Sequence, residues 1–387
     1  MRNRSHTGGT RGVSRRQFLT ASAVAATALA GCANEQTGGS EETSTPEVAD
    51  TESGPQIPRV EDPPDAVYVP PHRAGMVRLS AVEAGDYTLL PMISYPHRFW
   101  LVTGTDTEEV TPSDSGVHLM FTVRDTETGR VLPVDAGAQI RVSKDGELVD
   151  QRAPWPMISQ TMGFHFGDNV PLAEDGTYAV DVDLNPIGVE KTGAFEGRFG
   201  DSATATFEFE YDGEVRQRLT ESVKYLDEER WGKRGALEPM MQSHSGEGHG
   251  GDGGGSSMSF SALPRADAYP GRDLGTPQSG GATFVLRYLE DSRFVDEGGY
   301  LIVSPRTPHN RIPLPDTALS ISGAGERELT QTLDDEIGHH YGAAVDLSAG
   351  DELRLTVETP PQIARHAGYE TAFIEMEPVT FTVDGPS

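Results

Sequence analysis

The sequence predicts an all-β protein made of two β-sandwich domains. From Val67 onward, apolar and polar residues alternate in short runs, as in 117–123, 139–142 and 178–184, and Gly, Pro, Asp and Asn separate these runs. A period of two is typical of half-buried strands. Only 219–234 has a helical pattern. The density of the runs favours about seven strands per domain, which is the arrangement of an immunoglobulin-like sandwich.

An internal repeat supports the division into two domains. Residues 165–172 align without gaps with residues 340–347, and both segments begin with a histidine, an aromatic residue and a glycine. In both copies a proline follows at the same distance, Pro186 in the first and Pro361 in the second. Self-similarity of this kind indicates two copies of one structural unit.

Composition sets the predicted domain boundaries. A run of Gly, Ser and two histidines interrupts the strand pattern, and such a composition is typical of a flexible linker. Another stretch rich in Thr, Glu, Gly and Ser precedes the first strand and predicts a disordered tether. The predicted segments are an export signal (1–31), an acidic tether (32–58), a first sandwich (59–240), a Gly/Ser/His linker (241–281) and a second sandwich (282–387).

The N-terminal segment predicts export and a lipid anchor. Arg15 and Arg16 precede a mild apolar stretch, residues 20–30, in the pattern of a twin-arginine signal. This stretch is too short to span a bilayer. Cys32, the single cysteine of the chain, follows Leu-Ala-Gly, the pattern that precedes a lipidated cysteine. A free thiol or an intermolecular disulfide is the alternative. We therefore expect an extracytoplasmic lipoprotein held at the cell membrane.

The charge balance is strongly acidic. The chain has 31 basic and 60 acidic residues, a net charge of −29. Removal of residues 1–31 takes away five arginines and no acidic residue, which brings the charge to −34. Electrostatic repulsion excludes nucleic acid as a partner. Only four basic residues are lysines, and an acidic, lysine-poor surface is typical of proteins from salt-loving organisms, in which molar salt screens the self-repulsion.

Four short motifs resemble the periplasmic iron-transport family, small immunoglobulin-like proteins of ferrous-iron uptake that bind copper or another divalent metal. The motifs are Val-His-Leu at 117–119, Pro-Met at 156–157, His-Phe-Gly-Asp-Asn at 165–169 and Gly-Thr-Tyr at 176–178. The resemblance covers residues 75–210 and, more faintly, residues 282–385. It implies an immunoglobulin-like fold and a metal site built from Met, His and Glu.

By this resemblance, His118, Met157 and His165 are metal ligands. The first domain departs from the family pattern at two positions, since Met120 stands at the usual glutamate and Thr192 at the last histidine. Thioether ligands favour Cu(I), whereas the loss of a carboxylate weakens a site for Fe(II) or Mn(II). The expected cargo is copper or iron.

The second domain has the converse set of candidate ligands. His340 and His366 are present, Leu333 occupies the methionine position, and no histidine matches His118. The family places its sites near a dimer interface, so the two repeats are predicted to act as an internal dimer. In this hypothesis His366 completes the ligand set of the first domain.

His97 is a further candidate ligand. With Met92 it precedes the strand of His118, so that a loop could bring a soft pair to the same end of the sandwich. The alternative for the candidates is structural. A buried histidine often bonds a backbone carbonyl, and a lone methionine is usually part of the core. The candidate metal ligands are His97, His118, Met120, Met157, His165, His340 and His366.

The sequence contains none of the common catalytic motifs: no Gly-x-Ser-x-Gly, no His-Glu-x-x-His, no phosphate-binding glycine loop and no cysteine nucleophile. We therefore expect a binding protein and not an enzyme. Capture of a transition metal for uptake is the leading hypothesis, and the resemblance implies a membrane permease or oxidase as partner and leaves a homodimer open. The alternative is a surface adhesion or scaffold protein with structural histidines.

Overall fold

The computed structural model describes residues 55–112, 115–240, 260–290, 293–295 and 298–384. The predicted signal with Arg15 and Arg16, the lipidation site Cys32, most of the tether and residues 241–259 of the predicted linker lie outside the described residues. Within the described residues, no helix is long and apolar enough to cross a membrane.

The described residues of the N-terminal half form fifteen strands and one α-helix. The strands are β1 (His72–Arg73), β2 (Met76–Arg78), β3 (Val82–Ala84), β4 (Tyr87–Ser94), β5 (Phe99–Thr103), β6 (Asp106–Val110), β7 (Val117–Asp125), β8 (Gln139–Lys144), β9 (Glu147–Arg152), β10 (Trp155–Ser159), β11 (Gly163–Val170), β12 (Gly176–Leu184), β13 (Glu190–Thr192), β14 (Ala203–Tyr211) and β15 (Lys224–Tyr225). Two 3-10 turns cover Gly193–Phe195 and Glu228–Arg230.

The helix, α1, covers Gly213–Glu221. The Asp212 side chain caps it by accepting a hydrogen bond from the backbone N–H of Val215. The sequence pattern predicted a helix over 219–234, so the observed helix begins earlier and ends soon after the predicted start. The difference follows from this cap, which fixes the first turn at Gly213.

In the C-terminal half, the part of the chain that the structure describes forms eleven further strands and a 3-10 turn at Ala266–Ala268. The strands are β16 (Arg272–Gly275), β17 (Gln278–Ser279), β18 (Ala282–Leu289), β19 (Gly299–Arg306), β20 (Ala318–Ser322), β21 (Arg327–Glu328), β22 (Thr330–Asp334), β23 (His340–Val345), β24 (Glu352–Thr359), β25 (Ala364–Arg365) and β26 (Val379–Thr382). Strands β16 and β17 lie within the predicted linker and pair with β18.

The strands form two sandwiches, which confirms the all-β sandwich prediction. In the first, a sheet in the order β2-β4-β7-β11-β10-β25-β5-β6 faces a sheet in the order β14-β12-β8-β9. In the second, β13-β22-β23-β19-β18-β16 faces β21-β20-β24-β26. Alternate side chains of the facing sheets, such as Phe121 of β7 and Val180 of β12, meet in one apolar core.

Each half contributes one short strand to the large sheet of the other, β25 between β10 and β5 and β13 at the edge beside β22. Strand β25 pairs in parallel with β10 of the first sandwich, with Met157 opposite Ala364. Strand β13 pairs in parallel with β22 of the second sandwich, with Glu190 opposite Thr332. This reciprocal exchange brings the segment that follows β25 onto the outer face of the first sandwich.

The outer face of that sheet is also buried. All nine residues of β7 are buried, both those that point into the core and those on the opposite side. A small apolar cluster, separate from the main core, lies on this side and contains Phe99, Met157 and Ala364. Chain from the β4–β5 connection and from the β25 region therefore covers the sheet and encloses a space beside it.

Candidate metal centre

Three of the predicted ligands share this outer face because of the strand register. Directly opposed residues of antiparallel strands point to the same side of the sheet. Met157 of β10 lies opposite His165 of β11, and His118 of β7 lies opposite Asn169 of β11. His165 and Asn169 are four residues apart on one strand and so point to the same side.

His97 and His366 reach the same space from the covering segments. His97 lies between β4 and β5, and the side chain of Asn169 holds its backbone. The Asn169 Oδ1 accepts a hydrogen bond from the His97 N–H (3.2 Å), and Nδ2 donates to the His97 carbonyl (2.9 Å). His366 follows β25, and its N–H donates to the carbonyl of Ile158 (3.1 Å).

Hydrogen bonds fix the tautomers of three of the histidines. Nδ1 of His97 lies 2.9 Å from the Tyr95 carbonyl, and Nδ1 of His165 lies 3.0 Å from the Gly163 carbonyl. A carbonyl oxygen can only accept, so both rings carry the proton on Nδ1 and leave a lone pair on Nε2.

His118 reaches the same state through Asn169. Because Asn169 Nδ2 donates to the His97 carbonyl, Oδ1 is the amide atom 3.0 Å from His118 Nδ1. The His118 proton is therefore on Nδ1. Its Nε2 has no hydrogen-bond partner although the side chain is fully buried. Such an atom normally costs folding free energy, so its presence points to a ligand.

The lone pairs converge on His366. Its Nδ1 is 3.1 Å from His97 Nε2, while its Nε2 is 3.1 Å from His165 Nε2 and 3.0 Å from the Met157 Sδ. A neutral imidazole has one N–H, so His366 can donate to only one of these neighbours. The other nitrogens then face each other with lone pairs, an arrangement that a cation would stabilise.

The spacing of these atoms suits a metal ion. The ligand nitrogens of His97, His118 and His366 all lie within 4.8 Å of one another. Imidazole nitrogens that bind one ion at about 2.0–2.1 Å are roughly 3.3–3.6 Å apart in a tetrahedral or trigonal site, a separation that lies within this limit. His165 and Met157 approach the other edge of the His366 ring, so that the ring lies between two groups of donors.

Burial keeps these histidines neutral near pH 7. It lowers the pKa of His97 and of His165 to about 4, and it lowers the pKa of His118 and His366 well below the usual 6.5, an effect that the neighbouring histidines increase. Neutral imidazole is the form that binds metal. The centre is therefore ready to bind a metal ion without first releasing protons.

Gly167 provides the room for two of the ligands. A Cβ at this position would lie 3.0 Å from His118 Nε2, 3.1 Å from Met157 Sδ and 3.4 Å from the Met120 Cβ. Gly167 and Asn169 both belong to the motif that carried the family resemblance, but sequence reasoning assigned a role to neither. Their place in that motif was the only available signal.

The two remaining predicted ligands lie in different places. Met120 lies opposite Gly167 on the side of the sheet that carries His118, and it lines a cavity together with His97 and His366. His340 lies in the second sandwich, where its Nδ1 bonds the Gly338 carbonyl (3.1 Å) and its Nε2 the Tyr300 hydroxyl (3.2 Å). Both nitrogens of His340 are satisfied.

The register also corrects one predicted correspondence. The sequence comparison placed Leu333 at the position of Met157. In the structure Thr332 is opposite His340, as Met157 is opposite His165, so Thr332 is the equivalent residue. The residue equivalent to Met157 is therefore Thr332, one residue before Leu333.

Thr192 is equivalent to His366, in line with the prediction for that position. Glu190 lies opposite Thr332 as Ala364 lies opposite Met157, and Thr192 and His366 each come two residues later.

A cavity of about 310 Å³ lies against the centre. His97, His366 and Met120 contribute to its wall on the side of the sheet, and Arg98 and Trp100 of the β4–β5 region contribute to the rest. His118, Met157 and His165 are buried, whereas His97 and His366 are partly exposed where they line the cavity. The cavity is thus the route by which a metal ion could be exchanged.

Comparisons with known proteins give limited similarity. The family model of a domain of unknown function (DUF7350) matches residues 267–382. No curated protein matches the chain. Two solved structures of FetP from uropathogenic Escherichia coli strain F11 are similar in part: a copper-bound variant (19% identity, 36% of this chain, 98% of that chain, TM-score 0.29) and the protein as isolated (16% identity, 35% of this chain, 95% of that chain, TM-score 0.28).

Proposed function

We propose that this protein captures a transition metal ion outside the cytoplasm and holds it for uptake. The observation that carries the proposal is the gathering of four imidazole rings and one thioether in one cluster around His366, with His118 Nε2 left without a hydrogen-bond partner. The ligands are His97, His118, Met157, His165 and His366. Binding is reversible, because no ligand is a thiolate and every donor is neutral.

The donor set favours copper as cargo, with iron as the second candidate. Imidazole suits both metals, whereas a thioether selects Cu(I) over harder ions. None of the five ligands is a carboxylate, the ligand type that hard cations prefer. The affinity is therefore expected to decrease from copper to Fe(II) and Mn(II).

Export and anchoring belong to the proposal on sequence grounds. Arg15 and Arg16 would direct the folded chain through twin-arginine export, and a lipid on Cys32 would hold it at the outer face of the cell membrane. A membrane permease or oxidase would then receive the metal. The protein acts by binding and transfer and not by catalysis.

A scaffold function with structural histidines predicts different hydrogen bonding of the ring nitrogens in the same residues. A structural buried histidine normally has partners for both ring nitrogens, as His340 has. An unpartnered nitrogen alone does not distinguish the two functions, because His339 Nδ1 in the second sandwich also lacks a partner. The difference is that the unpartnered His118 Nε2 lies in a cluster with His366, whose single proton faces several acceptors. The geometry therefore supports metal capture over the scaffold alternative.

Elemental analysis of metal-loaded protein tests the proposal. The chain is purified at high salt, loaded with Cu(I), Fe(II), Mn(II) or Zn(II) and compared with the triple variant His118→Gln, Met157→Leu, His165→Gln. The matched control is His339→Gln, His340→Gln, which changes two buried histidines of the second sandwich. We expect stoichiometric copper in the wild type and the control and its loss in the triple variant. Equal metal in all three proteins, or none in the wild type, would contradict the proposal.

A further inference from the structure

The cavity beside the metal centre differs in charge from the rest of the molecule. The chain has 60 acidic residues, yet none of the described residues that line the cavity is Asp or Glu. Three arginines line it: Arg59, Arg73 and Arg98. The acidic residues that dominate the composition are thus absent from the described wall of this cavity.

Arg98 is the arginine best placed to attract an anion. It directly follows the ligand His97 and donates long hydrogen bonds to the backbone carbonyls of Ile57 (3.3 Å) and Pro58 (3.5 Å). Among the described residues, no carboxylate lies within ion-pair distance of its guanidinium. Arg59, by contrast, pairs with Glu109.

The metal centre increases this positive charge. All five ligands are neutral, so that a bound ion keeps its whole charge. A divalent ion bound there would lie next to a cavity that Arg98 also lines and that has no acidic residue among the described residues of its wall. Buried charge without compensation is costly, and the interaction between opposite charges is strong where water is excluded.

We propose that the cavity binds a small carboxylate anion, which compensates the charge of a divalent metal ion at the centre and pairs with Arg98. This inference rests on the proposed function and names a second ligand for the same site. The anion enters with the metal, as a chelate, or completes the site after the metal has bound. The acidic protein surface does not prevent its approach, because molar salt screens long-range repulsion.

The dimensions of the cavity favour a small carboxylate over a larger chelator. A volume of about 310 Å³ is at the lower end of the range of ligand pockets, about 300–1,000 Å³. The walls combine apolar surface, such as Trp100, with the guanidinium of Arg98. Guanidinium binds carboxylate through two parallel N–H bonds, which gives preference over a spherical ion.

Thermodynamic linkage provides the test. If anion and metal bind together favourably, each must raise the affinity of the other by the same factor. Copper(II) affinity is measured with and without succinate, in molar sodium perchlorate as a weakly coordinating salt, and corrected for free copper–succinate complexes. Chloride replaces succinate in a parallel series. The visible spectrum of the bound copper reports a change of its surroundings.

Two variants separate charge from structure. Arg98→Gln removes the charge, and Arg98→Lys keeps it while altering the bonds to residues 57 and 58. Arg327→Gln, at an exposed position of the second sandwich, is the matched control. We expect succinate to raise copper affinity at least tenfold in the wild type, Arg98→Lys and Arg327→Gln, with a shift of the visible bands, and to have no effect in Arg98→Gln.

Three results would overturn the inference. Succinate without effect on the wild type excludes a linked anion site, and an equal effect in Arg98→Gln places the anion elsewhere. An equal effect of chloride at the same concentration excludes selectivity for carboxylate. Each of these results leaves copper binding intact, so the proposed function stands. Absence of copper binding in the wild type under every condition would contradict the proposed function and the anion site together.

Discussion

The two sandwiches place different residues on the same framework of strands. In both, a histidine at the start of a strand bonds the carbonyl two residues earlier, Gly163 for His165 and Gly338 for His340. A glycine two residues later leaves space for side chains of the neighbouring strands. The equivalent pairs are His118 and Tyr300, Met157 and Thr332, His165 and His340, Gly167 and Gly342, Asn169 and Ala344, and His366 and Thr192.

The neighbours of the shared histidine determine its role. In the second sandwich the Tyr300 hydroxyl lies against His340 Nε2, and the Thr192 hydroxyl donates to the Asp334 carboxylate (2.7 Å), which also pairs with Arg293. These groups satisfy one another. In the first sandwich the equivalent positions present acceptors that lack donors. One framework therefore supports a hydrogen-bond network around His340 in one half and a candidate metal centre in the other.

Acid is expected to have the largest effect on stability. Burial lowers the pKa of His97, His165 and His340 to about 4 and that of His339 to about 3, compared with 6.5 for an exposed histidine. The unfolded chain then binds more protons, so the free energy of unfolding should fall as pH decreases from 6.5 towards 4. The histidines with a pKa near 4 contribute at most about 3 kcal/mol each, and His339 at most about 5 kcal/mol.

Denaturant unfolding across this pH range, with and without copper, measures the effect. Copper should protect the protein at mildly acidic pH, because it competes with protons for the histidines of the first sandwich. The variant His340→Gln should keep this protection. A free energy of unfolding that is constant or rises between about pH 6.5 and 4.5 would contradict the assignment of these histidines as buried and neutral.

Substitution of His366 should cause the largest loss of metal affinity. His366→Ala removes the ring that contacts His97, His165 and Met157 at once. The loss should exceed the roughly 10- to 100-fold that substitutions outside the ligand shell produce. Thr192→Ala changes the equivalent position of the second sandwich and should leave affinity unchanged. Competition with a copper chelator measures both, and equal affinities would refute the role of the exchanged strand β25.

Asn169→Ala should lower metal affinity by about 10- to 100-fold. The side chain fixes the proton of His118 on Nδ1 and holds the backbone of His97, so its removal loosens two ligands. Asn185→Ala, which removes a single bond to the Gly137 carbonyl, is the control. If both variants bound copper as the wild type does, the orientation of His118 would not depend on Asn169.

The same glycine substitution should have different consequences in the two sandwiches. At Gly342 a Cβ would overlap the buried Tyr300 hydroxyl and ring, so Gly342→Ala should cost about 1–3 kcal/mol of unfolding free energy. At Gly167 it would press on His118 Nε2 and Met157 Sδ, so Gly167→Ala should reduce copper affinity more than stability. Parallel unfolding and copper titrations measure the two effects. A larger loss of stability in Gly167→Ala, or a larger loss of copper affinity in Gly342→Ala, would argue against the equivalence of the two glycine positions.

Conversion of the second sandwich should produce the smallest effect, a weak additional site. Thr192→His, Tyr300→His and Thr332→Met together introduce the ligand types of the first sandwich at the equivalent positions beside His340. We expect additional copper of lower affinity in a titration, because neither His97 nor Asn169 has been reproduced. Tyr300→His alone is the control and should add none. Unchanged stoichiometry in the triple variant would show that the framework alone does not position ligands.

Much of the fold follows from local patterns. The period of two in 117–123 and 178–184 corresponds to β7 and β12, and the repeat corresponds to two sandwiches with equivalent registers. The exchange of β13 and β25 does not follow from periodicity, because both strands are only two or three residues long. Parallel pairing with distant strands depends on tertiary contacts.

The candidate site was partly accessible to sequence reasoning. His118, Met157 and His165 belong to motifs, and complementary ligand loss between the repeats pointed to His366. The structure brings these four residues and His97 together, with Met120 in the wall of the adjoining cavity, whereas His340 lies in the second sandwich. Sequence spacing could not reveal that Tyr300 satisfies His340, because this contact depends on side chains from two strands. Arg98 had no motif to mark it.

X-ray absorption spectroscopy at the copper edge tests the central claim most directly. For the copper-loaded protein, the account predicts imidazole nitrogens together with one sulfur scatterer in the first coordination shell, and loss of the sulfur in Met157→Leu with the imidazoles retained. A shell without sulfur in the wild type, or an identical spectrum in Met157→Leu, would contradict the assignment of Met157 and the four histidines as one metal centre.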